Sequence, residues 1–321
     1  NVAHRIGVVQ GDVLNWGHGL GAPGTTAEQE SPSVTKWVTA LDVSGGYVSI
    51  WLHFSNHRHA RGGVYTVPSI APTGVLKRDL VHSRFKALGL TAVLLTMALY
   101  HFMIFAVRRS DKPNLWLALT CFFGALHQCT VGEDLVSLFL DGWLGYPIAV
   151  HMEYIGLLLG PVCGFSYVVS ITNLPKLKQL ERRFWVVSGI FFLGTMLMPA
   201  QTFTDWLVLE QLWLLVIGLV GLYYCLRSAA SGQQEARLVL LGFMCIALAG
   251  IHDVMEANLN LSTPFLLGYS FIVFALIQSW SLAKLSSAAF DLADRLSVHL
   301  QEEVNKRTAE LVKQNEVAET A

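Results

Sequence analysis

The stretch KALGLTAVLLTMALYHFMIFAV, residues Lys86–Val107, decides the fold class of this chain. It contains no charged residue after Lys86, and the basic pair Arg108-Arg109 follows it directly. A helix needs about 20 mostly apolar residues to cross the hydrocarbon core of a bilayer. The stretch therefore predicts a membrane-spanning helix that ends at a basic loop.

Six further apolar stretches follow along the chain, and the composition agrees with them. The chain is 53% hydrophobic and only 14% charged, whereas a soluble domain carries about 25% charged residues. The sequence thus predicts a mainly α membrane protein built on a seven-transmembrane helix bundle. The seven predicted spans are Lys86–Val107, Leu115–Leu135, Tyr146–Ile171, Phe184–Pro199, Trp206–Leu226, Ala236–Ala257 and Pro264–Leu282.

Basic residues in the short connections predict the direction of the bundle. The first, third and fifth connections carry all nine of these Lys and Arg residues, and the second, fourth and sixth carry none. Cytoplasmic loops hold an excess of Lys and Arg. We therefore expect an extracytoplasmic N-terminus and a cytoplasmic C-terminus. The nine residues are Arg108, Arg109, Lys112, Lys176, Lys178, Arg182, Arg183, Arg227 and Arg237.

Residues 1–84 alternate short apolar runs with turn signals, which indicates an extracytoplasmic β domain. Tyr47–Phe54 alternates apolar and polar side chains, as a strand with one buried face does. Trp37–Leu41 predicts another strand, and Ser44-Gly45-Gly46 predicts the turn between them. A domain this short resembles the later part of a larger one.

A polar segment after the predicted strand is the most distinctive part of the chain. It combines imidazoles and guanidiniums with the pair Gly62-Gly63, which permits positive φ. Such a segment could bind an anion, a sugar or a metal, and it could equally be a solvated turn. Its candidate ligand-binding residues are Asn56, His57, Arg58, His59 and Arg61.

Several short motifs follow one another along the chain: Gly11-Asp12-Val13, Gly24-Thr25, Ser55-Asn56 with His59 and Gly62-Gly63, Leu99-Tyr100-His101, Arg108-Arg109 with Asp111, Gly132-Glu133 and Glu153-Tyr154. In this order they resemble the 7TMR-DISM family of seven-transmembrane receptors with diverse intracellular signalling modules. The resemblance implies a jelly-roll-like outer domain that binds carbohydrate or another small ligand, in the inner membrane of a bacterium. It departs at His127-Gln128, where the family has an Arg.

Seven ionisable residues fall in the predicted outer half of the bundle. Charged groups at membrane depth are costly and default to a functional hypothesis. They could bind a small ligand, respond to protons or hold a divalent metal, and they could also form a structural polar network. The deeper His101 is expected to be a packing residue. The seven are His127, His151, Glu153, Glu210, His252, Asp253 and Glu256.

Residues 284–321 are polar and favour a cytoplasmic coiled-coil helix, with a single solvated helix as the alternative. An apolar seam with one stutter predicts a parallel homodimer. The segment resembles the signalling helix that precedes histidine-kinase, diguanylate-cyclase or nucleotide-cyclase modules. The predicted signal-relay residues are Leu285, Leu292, Leu296, Leu300, Val304 and Leu311.

The sequence therefore predicts three parts: a β sensor domain (1–84), the bundle (85–283) and the signalling helix (284–321). Together they would form a transmembrane receptor that passes an extracytoplasmic stimulus to a cytoplasmic output domain. We identify no catalytic motif or cofactor motif, and the net charge of −1 gives no reason to propose a nucleic-acid partner. The alternative is a seven-helix intramembrane metal-dependent hydrolase that uses the outer His and acidic residues.

Overall fold

The computed structural model describes residues 3–10, 13–16, 25, 49–55, 71–131, 135–138, 145–172, 174–232, 234–259, 263 and 266–320. Only the backbone is described for the strands and for residues 137–138, 145–146, 234–235, 254, 256–259 and 312–320. The predicted strand Trp37–Leu41 and the polar segment with Asn56, His57, Arg58, His59 and Arg61 lie outside the described residues.

Helices dominate the described part of the chain, and every predicted span overlaps one of them. The predicted second span, Leu115–Leu135, differs most from the helix in the structure. That helix ends at Gln128, and a separate 3-10 helix covers Leu135–Leu138. The helices are α1 (Thr73–Val107), α2 (Lys112–Gln128), α3 (Gly145–Thr172), α4 (Pro175–Leu197), α5 (Ala200–Thr204), α6 (Leu207–Ala230), α7 (Gln234–Leu259) and α8 (Leu267–Thr320).

Among the described residues, five helices are long and apolar enough to cross a membrane: α1, α3, α6, α7 and α8. The other two helices over predicted spans fall short for different reasons. Helix α2 has 17 residues, whereas α4 has 23 residues but begins with a charged stretch that contains Lys176, Lys178 and Arg182. A count of seven crossings therefore stays a prediction.

Helix α3 forms the centre of the bundle. Val162, Phe165 and Tyr167 are almost completely buried. Phe165 packs with Phe184 of α4 and Ile217 of α6, and Tyr167 packs with residues of α1, α2, α7 and α8. Because α3 meets neighbours on all sides, its near-continuous apolar sequence suits a buried helix.

Small residues on α3 let α2 approach closely, as their spacing predicts. A Cβ atom placed on Gly156 would lie 2.7 Å from the backbone nitrogen of His127. Gly160 and Gly164 face Phe123 and Thr120 of the same helix. Since α3 residue numbers rise as the facing α2 numbers fall, these two helices are antiparallel.

The N-terminal strands form a three-stranded antiparallel sheet in the order β2-β1-β3, where β1 is Ala3–Gln10, β2 is Val13–Trp16 and β3 is Ser49–Ser55. The predicted strand Tyr47–Phe54 overlaps β3, whereas β1 and β2 were not predicted. Three strands do not define a jelly roll, so a β sensor domain over residues 1–84 stays a prediction. The predicted boundary at 84/85 falls inside α1.

Helix α8 is 54 residues long, or about 80 Å at 1.5 Å per residue. Its first part packs in the bundle core through Phe274, Ala275 and Leu282. From Ser287 to Leu311 every side chain is exposed. One helix therefore leads from the bundle into a segment that no other described residue covers.

Candidate functional site

Asp253, near the end of α7, is hydrogen-bonded to the beginning of α8, and His252 is hydrogen-bonded to Asp253. The backbone N–H groups of Leu266 and Leu267 donate to the two carboxylate oxygens of Asp253 at 2.7 and 2.8 Å. Nδ1 of His252 lies 2.9 Å from the same carboxylate, and Nε2 lies 3.1 Å from the hydroxyl of Thr263. Asp253 thus satisfies N–H groups that a helix start leaves without partners.

His127 bonds α2 to α3. Its Nδ1 donates to the backbone carbonyl of Glu153 at 3.2 Å. No other hydrogen bond of the His127 ring occurs among the described residues. This contact lies beside the close approach of Gly156 to the same turn of α2.

His151 lies on α3 against the short helix α5. Its Nδ1 donates to the carbonyl of Pro147 at 2.6 Å, and its ring meets the Phe203 ring edge-on with centroids 4.9 Å apart. The Tyr154 ring packs on Phe203 as well, at 5.2 Å. Nε2 of His151 has no hydrogen-bond partner in the described part of the chain.

Glu210, one turn into α6, carries a buried carboxylate. It is 1% exposed, and neither carboxylate oxygen has a hydrogen-bond partner among the described residues. Glu210 shares its helix face with Ile217 and Gly221, which pack against α3. Burial of an unpaired charge is costly, so this carboxyl group is stable here only if it takes up a proton or meets a hydrogen-bond donor or a cation.

The predicted outer cluster thus divides into several local arrangements. His252 is joined to Asp253, and His127 to the backbone of Glu153; the side chain of Glu256 lies outside the described residues. No group of three or more His, Cys, Asp or Glu side chains that could hold a metal ion occurs in the described part of the chain. The alternative function, a metal-dependent hydrolase, therefore has no candidate metal site among the described residues.

Sequence reasoning missed a polar contact at the other end of the bundle. His101 of α1 is buried, with Nδ1 2.6 Å from Oδ1 of Asn114 on α2 and Nε2 2.8 Å from Oγ of Ser279 on α8. The Ser279 hydroxyl also lies 2.7 Å from the carbonyl of Ala275. His101, expected to be only a packing residue, joins three helices.

The neighbouring residue on α8 makes a second set of polar contacts. The Tyr167 hydroxyl of α3 donates to Oε1 of Gln278 at 3.1 Å, and Nε2 of Gln278 donates to the carbonyl of Leu238 on α7 at 3.3 Å. Gln278 is fully buried. Two adjacent polar residues inside an apolar span were the sequence signal that could have revealed this site.

We call His101, Asn114, Tyr167, Gln278 and Ser279 the α8 polar junction. Through it α8 is hydrogen-bonded to α1, α3 and α7, and through His101 to α2. Hydrogen bonds between helices in an apolar environment contribute about 0.6 kcal/mol each and up to about 1.7. A shift of α8 along or around its axis would have to break several of them together.

Comparison with known proteins assigns the bundle to a family. Residues 84–284 match the model of the family described as 7TM diverse intracellular signalling. The chain belongs to this family. The match confirms the suspected family, and it covers α1 from Arg84 onward and the first part of α8. The motifs before residue 84 lie outside it. The protein is a multi-pass membrane protein and a transmembrane sensor. No curated protein and no solved structure matches the chain.

Proposed function

We propose that this member of the family is the input half of a homodimeric receptor. A stimulus on the extracytoplasmic side changes the arrangement of the bundle, and α8 carries that change to a cytoplasmic output domain such as a histidine kinase or a cyclase. The observation that carries the proposal is the single helix α8, which begins at the Asp253 cap, passes the α8 polar junction and continues into an exposed apolar seam.

The proposed stimulus site is the outer half of the bundle, together with the outer β domain. Nε2 of His127, Nε2 of His151 and the carboxylate of Glu210 are polar groups without partners among the described residues. Each of them could accept a hydrogen bond from a small ligand or take up a proton, and the carboxylate could also pair with a positive charge. Such a stimulus can shift the two arrangements only by its differential affinity for them.

The proposed output runs through the exposed seam of α8. Leu292, Leu296 and Leu300 are 61%, 51% and 56% exposed. An isolated helix is only marginally stable in water, and most helical stability comes from packing of an apolar face. A second copy of the chain, packed in parallel, would cover this seam.

The proposed orientation places the nine basic residues of the first, third and fifth connections in the cytoplasm. All nine side chains are exposed, so none of them packs in the interior of the bundle. The domains are then an outer sensor (1–84), the bundle (85–283) and the signalling helix (284–321), in a bacterial inner membrane.

Disulfide crosslinking in membranes tests the dimer. Leu292→Cys and Leu296→Cys are expected to trap covalent dimers, because both lie on the seam. Val298→Cys is the matched control, since it is equally exposed at 54% but points to the opposite side of the helix. Absence of dimers at both seam positions, or equal crosslinking at Val298→Cys, would refute the parallel dimer.

The isosteric substitution Glu210→Gln tests the stimulus site. In the Leu296→Cys background it is expected to change the rate of crosslinking without lowering the amount of protein in the membrane. Glu181→Gln, an identical chemical change at the start of α4, should leave the rate unaltered. An unchanged rate for Glu210→Gln would remove this carboxylate from the proposed site.

A further inference from the structure

The beginning of α4 presents a basic surface. Lys176, Lys178, Arg182 and Arg183 are all exposed, whereas Leu177 between them is completely buried against α3 and α6. None of the four basic side chains forms an ion pair with any described residue. The positive charge of this surface is therefore available to a partner outside the bundle.

The same exposed face continues along the rest of α4 but changes from basic to apolar. Its members recur at alternating intervals of three and four residues, so they form one stripe on the helix. All of them are exposed, and Leu197 reaches 80%. The stripe consists of Lys176, Gln179, Arg183, Val186, Ile190, Leu193 and Leu197.

The apolar part of this stripe fits contact with lipid chains, because no described residue covers it and the protein is membrane-embedded. Residues 184–197 span only about 20 Å, whereas the hydrocarbon core is about 30 Å thick. Because the apolar part of α4 is shorter than the hydrocarbon core is thick, the basic turns before it lie in the headgroup layer. There, long Lys and Arg side chains extend toward the phosphates.

We propose that the basic end of α4 binds the phosphate groups of anionic phospholipids in the leaflet that it faces. The charge favours anionic over zwitterionic lipid. The helix N-terminus adds to it, because the N-cap residue Leu174 makes no side-chain hydrogen bond to the first turn and the dipole is positive there. Only the naming of this leaflet as cytoplasmic rests on the proposed orientation.

Electron spin resonance of the purified chain, reconstituted in phosphatidylcholine vesicles, tests the proposal. Trace spin-labelled phosphatidylglycerol is expected to show a higher association constant with the protein than spin-labelled phosphatidylcholine. The preference should fall at high salt, because the attraction is electrostatic. Replacing Lys176, Lys178, Arg182 and Arg183 together by Gln is expected to lower the ratio of the two association constants toward one, because these four charges supply the attraction.

A matched variant separates this surface from the general charge of the protein. Arg108, Arg109, Lys112 and Arg227, replaced together by Gln, remove the same charge from the ends of other helices and their connections, on the side that the proposed orientation also gives to the start of α4. If both quadruple variants lose the preference equally, or if the unaltered chain shows no preference at any salt concentration, the proposal is wrong. Neither outcome bears on signalling, so the receptor proposal is judged separately.

A second copy of the chain is the competing occupant of the apolar part. Leu193→Cys, on the same stripe, is expected to give no disulfide-linked dimer in membranes. Efficient dimer formation at Leu193→Cys would mean that another copy, and not lipid, covers α4.

Discussion

A Cβ atom at position 156 would lie 2.7 Å from the backbone nitrogen of His127 and 2.8 Å from the backbone carbonyl of Phe123. Backbone atoms of α2 cannot move aside without separating two helices. Gly156→Ala is therefore expected to destabilise the bundle by about 1–3 kcal/mol, as overpacking does. Thermal unfolding of the purified protein in detergent measures the loss.

Gly189→Ala in α4 is the matched control for that substitution. Nothing lies within 4 Å of a Cβ at position 189, and Ala favours a helix over Gly by about 1 kcal/mol. We expect equal or higher thermal stability for Gly189→Ala. A Gly156→Ala protein as stable as its control would contradict the close approach of α3 to α2.

The structure also gives Asp253 a clear role, because its carboxylate accepts hydrogen bonds at the beginning of α8. Asp253→Ala removes the acceptor of two N–H groups at the beginning of α8. Loss of such a cap costs about 1–2 kcal/mol, so thermal unfolding should occur at a lower temperature. Asp205→Ala, which removes the same charge from an exposed position, should have little effect.

This role changes how substitutions at the outer cluster are interpreted. A signalling defect in Asp253→Asn could arise from a weakened start of α8 as well as from a lost ligand. Glu210→Gln avoids this ambiguity, because Glu210 has no hydrogen bond among the described residues that the substitution would break.

At the scale of elements, the contact between α3 and α8 can be measured directly. Tyr167→Phe and Gln278→Leu each remove one side of the hydrogen bond between these helices. A double-mutant cycle on unfolding free energy should give a coupling of about 0.5–2 kcal/mol. Additive effects of the two substitutions would show that the bond contributes nothing to holding α8.

Thr195→Val provides a control cycle with Gln278→Leu. Among the described residues the Thr195 hydroxyl bonds only within α4, to the carbonyl of Phe191, so its effect should add to that of Gln278→Leu. Coupling in the first cycle and additivity in the second would locate the interaction at the α8 polar junction.

At the scale of the whole molecule, the exposed part of α8 predicts a defined pattern of proteolysis. Arg295 and Arg307 both lie in the part of α8, Ser287–Leu311, where every side chain is exposed. In inside-out membrane vesicles, trypsin is expected to remove this segment and to reach the exposed basic residues of the connections as well, whereas the parts of the helices within the bilayer should be protected. In right-side-out vesicles the segment should be protected; cleavage there would reverse the proposed orientation.

The sequence determined the positions of the helices, because apolar runs of membrane length leave the backbone few alternatives to helix. It also indicated the small-residue face of α3, since Gly156, Gly160 and Gly164 recur at helical spacing. The β strands were harder to predict, and only the strand over Ser49–Ser55 was anticipated among those described.

Only the tertiary structure decided which polar residues meet. Ser279 is 178 residues from His101 and Gln278 is 111 residues from Tyr167 along the chain, so no local pattern joins them. The sequence grouped seven outer residues by depth alone, and the structure distributes the described ones among separate partners. Depth follows from position in a span, whereas partnership depends on how each helix is rotated, and packing of the neighbouring helices fixes that rotation.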